Sequence, residues 1–354
     1  MAIRLGVIGC GGIAHSHANS YKKLGDRVEF VACCDLVEEK AKNYANNFGF
    51  QKYYTDCYTM LKENDLDAVS VCTWNSAHAE CSIAALNAGC HVFCEKPMAM
   101  NTEEALAMKE AAEKNDKLLM IGFVRRHGDD AKMARTLIEN GDLGDVYYAK
   151  ATYLRRCGFP GGWFGDKSRS GGGPLIDLGV HVIDLSRYIM GNHKPITVFG
   201  ATFNKIGARS EVTLGADAWK SLTEAEKPIF TVEDLATAMI RFDDGAVLQV
   251  EASFNLNLKE NLGDVSFFGD KAGYNLNNGE LYTVVNNQLA DIKLRGENNF
   301  HFDRDFAREA KNFIDTIEGK ATLLANAEDG VELMRILDAI YESAETGKSV
   351  DIVR

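Results

Sequence analysis

The chain has 354 residues, more than one hydrophobic core usually serves, which predicts two domains. Hydrophobic residues make up 46% of the chain and charged residues 25%, the composition of an ordinary globular protein. The formal net charge is −12 and no long Lys/Arg run occurs, so the sequence argues against nucleic acid or a membrane surface as a partner.

The cysteines and the apolar runs bear on the compartment. The nine cysteines are odd in number and include no CxxC pair, which favours buried thiols in a reducing cytoplasm over disulfides or a zinc site. Residues 3–8 run directly into glycines, unlike a signal peptide, and no apolar stretch is long enough to span a bilayer. We therefore predict a cytoplasmic protein without a bound metal.

Strand-like and helix-like segments alternate over the first 123 residues. The predicted strands are 3–8, 28–34, 68–72, 90–94 and 118–123, and the predicted helices are 13–24, 38–48, 77–87 and 102–115. Apolar strands separated by amphipathic helices form βαβ units. This part of the chain is therefore predicted to be a doubly wound parallel sheet of the α/β class, with helices on both faces.

The pattern changes after a predicted helix at 130–140, because strands now follow one another without helices between them. They are predicted at 146–154, 196–203, 235–242, 246–254 and 265–268, with helices returning at 305–317 and 327–346. Asp243-Asp244-Gly245 is a strong hairpin signal between two of these strands. We predict a first domain of the α/β class at 1–123 and, at 124–354, an α+β domain with a large, mostly antiparallel open sheet.

A glycine-rich turn follows the first strand and is the reason for expecting a dinucleotide. Gly9 ends that strand, Gly11 lets a pyrophosphate approach the backbone, and Ala14 fills the third small position, where a helix begins. The free N–H groups at the start of this helix can bind phosphates. The alternative is a tight strand–helix turn that binds no ligand. His15 and His17 lie in the same helix start, where we favour structural contacts over phosphate contacts.

The next strand ends at Asp35, 24 residues beyond Gly11. An acid at this position accepts hydrogen bonds from a ribose 2′-hydroxyl and repels a 2′-phosphate. Leu36 follows, and no Arg or Lys adjoins to hold such a phosphate. The sequence therefore predicts NAD(H) rather than NADP(H).

Polar residues also follow the next two strands of the predicted sheet. Asn75 and His78 come after the strand at 68–72, and Glu95-Lys96-Pro97 follows the strand at 90–94. Ligands bind at the carboxyl edge of an open α/β sheet, so Lys96 should point towards the nicotinamide; an exposed surface lysine is the alternative. The predicted cofactor-binding residues are Gly9, Gly11, Gly12, Ile13, Ala14, Asp35, Thr73, Trp74, Asn75, His78, Glu95 and Lys96.

A second candidate site begins with the glycine run 171–173. Pro174 suits the first position of a helix, and the apolar residues that follow predict a buried one. Asp177, His181 and Asp184 stand at i, i+4 and i+7, so they share a face. A buried carboxylate one turn before a buried histidine can orient the imidazole and stabilise its charged form. We favour a catalytic pair over a core Asp–His contact.

Taken together, these motifs resemble the Gfo/Idh/MocA oxidoreductase family along essentially the whole chain. The matching segments are 9–14, 75–78, 95–97 and 171–181. The resemblance implies a Rossmann domain followed by an α/β domain whose open sheet forms a dimer or tetramer contact. It also implies oxidation of a secondary hydroxyl on a sugar, glycoside or cyclitol by hydride transfer to nicotinamide.

The resemblance also suggests roles for individual residues. Lys96 would hold the substrate hydroxyl, Asp177 would bind a neighbouring group, and His181 would take the proton, although the lysine is thought to be the base in some relatives. Arg126 resembles an arginine that contacts substrate in inositol dehydrogenases; an interdomain salt bridge is the alternative. Arg156 is a further predicted substrate contact.

Two departures from the family pattern bear on the substrate. Trp74 stands where many relatives have Pro, and its ring could pack along the nicotinamide ribose. The segment 157–173 is long and rich in glycine and carries Trp163 and Phe164. It is either a disordered surface loop or, as we favour, a lid with an aromatic platform, which suits a glycoside better than free inositol. The leading prediction is an NAD-dependent dehydrogenase, with an NAD-dependent glycosidase and a non-catalytic NAD sensor as alternatives.

Overall fold

The computed structural model describes residues 2–212, 221, 229–296 and 299–354, which fall into two compact units. Unit 1 comprises Met1–Val124 and His301–Met334, and unit 2 comprises Arg125–Phe300 and Arg335–Arg354. The chain first leaves unit 1 next to the boundary predicted after residue 123. Near its end the chain returns to unit 1, at residues 301–334. The predicted division into 1–123 and 124–354 did not include this return.

The sheet of unit 1 has six parallel strands among the described residues, in the order β3-β2-β1-β4-β5-β6. The strands are β1 (Ile3–Ile8), β2 (Val28–Cys34), β3 (Lys52–Tyr54), β4 (Ala68–Val71), β5 (His91–Cys94) and β6 (Leu119–Ile121). The helices are α1 (Gly12–Lys22), α2 (Glu38–Phe48), α3 (Cys57–Glu63), α4 (His78–Asn87) and α5 (Thr102–Lys114). The strand order reverses between β1 and β4, and ligands bind at such a switch point. The predicted doubly wound sheet is confirmed, although β3 and α3 were not predicted.

The return of the chain to unit 1 is explained by the apolar face of one helix. The helix α9 (Phe302–Ile317) packs against α1, and Phe313 joins a buried cluster with Tyr21. At the edge of this contact, the guanidinium of Arg27 lies 2.6 Å from Asp315. A long amphipathic helix must bury its apolar stripe against a neighbour, and here the neighbour belongs to the first part of the chain.

The sheet of unit 2 contains nine strands within the described ranges, in the order β14-β13-β12-β11-β7-β10-β9-β8-β15. The strands are β7 (Val146–Leu154), β8 (Pro195–Phe203), β9 (Leu235–Phe242), β10 (Val247–Ser253), β11 (Leu262–Gly269), β12 (Gly273–Asn275), β13 (Glu280–Val285), β14 (Gln288–Lys293) and β15 (Val350–Asp351). The pairing is antiparallel except between β7 and β10. The predicted hairpin joins β9 to β10, and the mostly antiparallel sheet is confirmed.

Helices pack against this sheet: α8 (Val180–Ile189) contacts β7 and β10, and the C-terminal part of α10 (Ala327–Thr346) approaches β8. Unit 2 also contains α6 (Asp129–Glu139) and α7 (Lys167–Ser170). A Cβ on Gly200 in β8 would lie 2.8 Å from Ile340 of α10, so glycine allows helix and strand to approach closely. On the opposite face, Phe199 and Met239 stand in register on neighbouring strands, and each is about half exposed.

No helix in the described part of the chain is both long enough and apolar enough to cross a membrane. All nine cysteines are free thiols, and seven of them are buried.

Candidate active site

The glycine turn after β1 has the geometry that its sequence predicts. Gly9 has a φ of +89°, and a Cβ on it would lie 2.5 Å from the carbonyl oxygen of Cys72. Gly11 caps α1 from extended backbone, makes no side-chain capping bond, and would have no atom within 4 Å of an added Cβ. Helix α1 therefore begins without a side-chain cap over the N–H groups of Gly12, Ile13 and Ala14. This open helix N-terminus fits a dinucleotide pyrophosphate.

Asp35 lies beside this turn, as its place at the end of β2 predicts. Its Oδ2 accepts the backbone N–H of Cys10 at 2.9 Å, and its Oδ1 accepts that of Val37 at 2.9 Å. A carboxylate oxygen can accept more than one hydrogen bond, so each oxygen can also accept one from a ribose hydroxyl. The two backbone bonds fix the orientation of the carboxylate before any ligand arrives.

The loops after β4 and β5 are tied to each other by His78. Its Nδ1 lies 2.7 Å from the carbonyl oxygen of Pro97, and its Nε2 lies 3.3 Å from that of Thr73. Burial lowers the pKa of His78, so the neutral ring donates one hydrogen bond, for which the closer Pro97 is the acceptor. Because both ring nitrogens face backbone carbonyls, the geometry argues against the predicted direct contact of His78 with a cofactor.

Lys96 follows β5 and is partly exposed, whereas Glu95 before it is buried. Both oxygens of Glu95 accept hydrogen bonds from the protein itself, which argues against its predicted contact with the cofactor. Thr73 and Trp74, after β4, are partly exposed, and Asn75 is buried. Lys96, Thr73 and Trp74 therefore remain the accessible residues of the predicted set at this edge.

In unit 2, the predicted helix contains a π-helical turn at Leu175–Gly179, immediately before α8. The N–H of Val180 donates to the carbonyl oxygen of Leu175, five residues back, and such turns occur frequently at functional sites. Between residues 172 and 190, all of them described, every residue is buried except Asp177 and His181. The predicted shared face is therefore present, but the prediction that this pair is buried is corrected. The core excludes these two side chains, which reach the surface of unit 2.

The third residue of the predicted face, Asp184, has a different environment. Its two carboxylate oxygens accept hydrogen bonds from Nε and Nη2 of Arg126 at 2.9 and 2.6 Å. Both side chains are almost completely buried, and the Arg126 guanidinium also lies over the ring of Tyr188. These contacts argue against the predicted binding of substrate by Arg126. The ion pair with Asp184 lies within unit 2, so this pair is not an interdomain salt bridge.

Two residues that the sequence did not single out hold the start of this helix. Glu233 Oε1 accepts the N–H of Leu175 at 3.2 Å and the hydroxyl of Tyr341 at 2.9 Å. A Cβ on Gly172 would overlap the Tyr341 hydroxyl, and one on Gly173 would overlap the carbonyl oxygen of Glu233. Burial raises the pKa of Glu233. The glycine run was the available signal, because it indicates a close approach, but it does not name the partner.

The segment 157–173 packs onto the sheet of unit 2. The rings of Trp163 and Phe164 stack with their centroids 4.1 Å apart, and Phe164 packs against a buried cluster that includes Leu178. The carbonyl oxygen of Gly165 accepts the N–H of Thr231 at 2.8 Å. This packing argues against the alternative that the segment is a disordered surface loop. It also brings Phe164 of the aromatic pair against the cluster that contains Leu178, the residue after Asp177.

Arg156, the remaining predicted substrate contact, lies at an exposed position. Its Nη1 donates to the carbonyl oxygen of Lys259 at 3.1 Å, and its backbone N–H donates to Asn261. These bonds attach Arg156 to the loop before β11. They provide no support for contact with substrate.

Comparison with known proteins identifies the family. Residues 3–123 match the model for the oxidoreductase family's NAD-binding Rossmann fold, and residues 135–352 match the model for its C-terminal alpha/beta domain. The chain belongs to the Gfo/Idh/MocA oxidoreductase family. It is 37% identical over 360 residues to the D-glucoside 3-dehydrogenase of Escherichia coli, covering 99% of this chain and 97% of that one.

More distant relatives share the same architecture. The myo-inositol 2-dehydrogenase of Thermotoga maritima is 28% identical over 359 residues, which are 99% of this chain and 98% of the relative. A solved levoglucosan dehydrogenase in complex with NADH matches all of both chains with a TM-score of 0.85 and 26% identity. Unit 1 therefore contains an NAD-binding Rossmann domain, and the protein is an NAD-dependent dehydrogenase of a family that acts on sugars and cyclitols.

Proposed function

We propose that the protein oxidises a secondary hydroxyl of a glycoside, and specifically the C3 hydroxyl of a glucoside. In this proposal, Lys96, Asp177 and His181 act on the reacting carbon and its neighbour. The observation that carries the proposal is the exposure of Asp177 and His181 in an otherwise buried helix. The choice of a glucoside is supported by the 37% identity to D-glucoside 3-dehydrogenase over nearly the full length of both chains.

The chemistry assigns each side chain a task. A bound nicotinamide would supply the acceptor for the hydride that leaves the carbinol carbon. The hydroxyl on that carbon must lose its proton, and His181 or the amine of Lys96 takes it. Asp177, one turn before His181, accepts a hydrogen bond from the neighbouring hydroxyl and so orients the ring. Residues Gly11 to Ala14 and Asp35 of unit 1 would hold the dinucleotide.

The aromatic pair on the segment 157–173 supports a ring-shaped substrate. Trp163 is partly exposed and is backed by Phe164, which packs near Leu178 on the helix that carries Asp177. Aromatic faces stack favourably on the C–H faces of apolar and amphipathic rings. We therefore keep Trp163 as a substrate contact and leave out Arg126 and Arg156.

The test is turnover with NAD⁺ of methyl glucosides, levoglucosan and myo-inositol, followed at the NADH absorbance. Lys96→Ala and His181→Ala should each abolish most of the hydride transfer to glucosides. His193→Ala is the matched control, because this histidine is partly exposed and lies beside Asp243 and Asp244 instead. Full activity in both Lys96→Ala and His181→Ala would contradict the proposal. Cleavage of a nitrophenyl glucoside without net NADH formation would identify the glycosidase alternative.

The assembly and the compartment are also proposals. We infer a homo-oligomer through the open face of the unit 2 sheet, where half-exposed Phe199 and Met239 lie side by side. Contiguous exposed apolar surface is a feature of protein interfaces. The cytoplasmic location rests on the nine free thiols, which suit a reducing compartment.

A further inference from the structure

A series of buried polar side chains connects helix α1 to the backbone of Lys96. Tyr21 Oη lies 2.9 Å from Ser70 Oγ, which lies 3.3 Å from His17 Nδ1. His17 Nε2 lies 2.8 Å from Glu95 Oε1, and Glu95 Oε2 accepts the backbone N–H of Lys96 at 3.1 Å. The donors can all point the same way, from the tyrosine hydroxyl through serine and histidine to the carboxylate.

The surroundings of this series hold His17 and Glu95 in place. His17 is 1% exposed, and its ring centroid lies 4.5 Å from that of Phe93 and 6.3 Å from that of Phe306. A Cβ on Gly122 would lie 3.1 Å from Glu95 Oε2, so glycine leaves only enough room for the carboxylate. Contacts from α1, β5, α9 and the residue after β6 therefore surround the two groups.

Burial alone would make Glu95 costly to ionise. Burial raises the pKa of Glu95, but the hydrogen bond from His17 and nearby positive charge outweigh that effect and lower the pKa overall. The carboxylate is thus ionised at neutral pH and keeps two N–H donors. Replacing one donor by an apolar group would leave a buried charge short of a hydrogen bond.

We infer that His17 is a positioning residue for Lys96 and acts through the Glu95 carboxylate. The carboxylate fixes the Lys96 amide, and the amide fixes the direction in which the lysine side chain leaves the end of β5. Helix α1 also carries the glycine turn, so one rigid element holds both the dinucleotide site and the backbone beneath Lys96. The inference rests on the proposed action of Lys96 on substrate.

If His17 had only a structural role, the packing of an aromatic ring would be sufficient. Two variants of His17 therefore separate ring packing from the hydrogen bond to Glu95. His17→Phe keeps an aromatic ring against Phe93 and Phe306 but removes the donor to Glu95. His17→Gln places an amide nitrogen near the position of ring Nε2 and retains that donor. Gly122→Ala leaves His17 unchanged and crowds the Glu95 carboxylate, so it disturbs the same residue from the other side.

Steady-state kinetics and NADH titration separate positioning from cofactor binding. We expect His17→Phe and Gly122→Ala to lower kcat about 10- to 100-fold, because small displacements of a catalytic group have effects of that size. NADH affinity should change by less than about threefold, and His17→Gln should restore kcat to within about threefold of the wild type. Equal losses in His17→Phe and His17→Gln, or wild-type kcat in both His17→Phe and Gly122→Ala, would overturn the inference.

Amide hydrogen exchange gives a second readout that does not depend on turnover. His17→Phe should accelerate exchange at the Lys96 amide, whereas His17→Gln should not, and equal exchange rates in the two variants would contradict the inference. If the wild type oxidises no glycoside, the proposed function fails, and the exchange result still decides whether His17 fixes the backbone of Lys96.

Discussion

Replacement of Arg126 distinguishes a structural residue from a substrate contact. The sequence predicts a substrate contact, but the structure pairs the guanidinium with Asp184 through two hydrogen bonds of 2.9 and 2.6 Å. The side chains are 1% and 2% exposed, so solvent does not screen the pair. Arg126→Met removes the charge, retains a long apolar stem, and leaves Asp184 buried without its two-pronged partner.

The magnitude follows from the charge left behind. Each hydrogen bond that involves a charged group contributes about 1.5–3 kcal/mol. Removal of one member of a buried ion pair typically costs about 3–5 kcal/mol, which agrees with the loss of two such bonds. Replacement of both members by apolar residues, as in Arg126→Met/Asp184→Leu, should recover most of that free energy because no charge stays buried.

Urea denaturation and steady-state kinetics together test this reasoning. We expect Arg126→Met to lower the free energy of unfolding by about 3–5 kcal/mol, with a strong non-additive recovery in the double variant. The folded fraction of the enzyme should keep a KM near that of the wild type. Unchanged stability together with a raised KM would refute the structural assignment and restore Arg126 as a substrate contact.

Three further predictions concern the cofactor, the helix start and the assembly. Asp35→Ala should reduce the preference for NAD⁺ over NADP⁺, measured as the ratio of kcat/KM values, and an unchanged ratio would contradict the assignment to ribose. Burial raises the pKa of Glu233 above its ordinary 4.5, so its contribution to stability is fully present below pH 4.5 and is lost as pH rises through the folded-state pKa. Glu233→Gln keeps an acceptor oxygen, so the stability of this variant relative to the wild type should rise with pH above 4.5 when both are denatured in parallel series. A stability difference that does not change with pH would argue against a buried carboxyl. Phe199→Glu should shift the mass measured by light scattering towards the monomer, while exposed Lys62→Glu in unit 1 should not.

Local pattern was sufficient for much of the fold. The strands β7 and β9 and the helix α10 have the predicted bounds, because nine, eight and twenty residues give enough repeats to reveal a period. The strands β3 and β12 have three residues each and were not predicted, whereas β6, equally short, lies within the longer apolar run predicted at 118–123. The six-residue strands β13 and β14 were not predicted either. Their place in a sheet is decided by the neighbouring strand.

The same division applies to the site. The sequence by itself determined the glycine turn with Asp35, the position of Lys96 after a parallel strand, and the one-turn spacing of Asp177 and His181. Each of these depends on residues close together in the chain, where turn chemistry and helix periodicity act directly.

Only the tertiary structure decided which polar side chains pair with other groups of the protein. Arg126 meets Asp184 and His17 meets Glu95 across 58 and 78 residues of sequence, and Glu233 reaches the helix start from 58 residues away. A buried charge must have a partner, but one sequence does not specify which of many distant groups supplies it. Packing makes that choice, and it also decides that Asp177 and His181 are partly exposed while the other residues from 172 to 190 are buried.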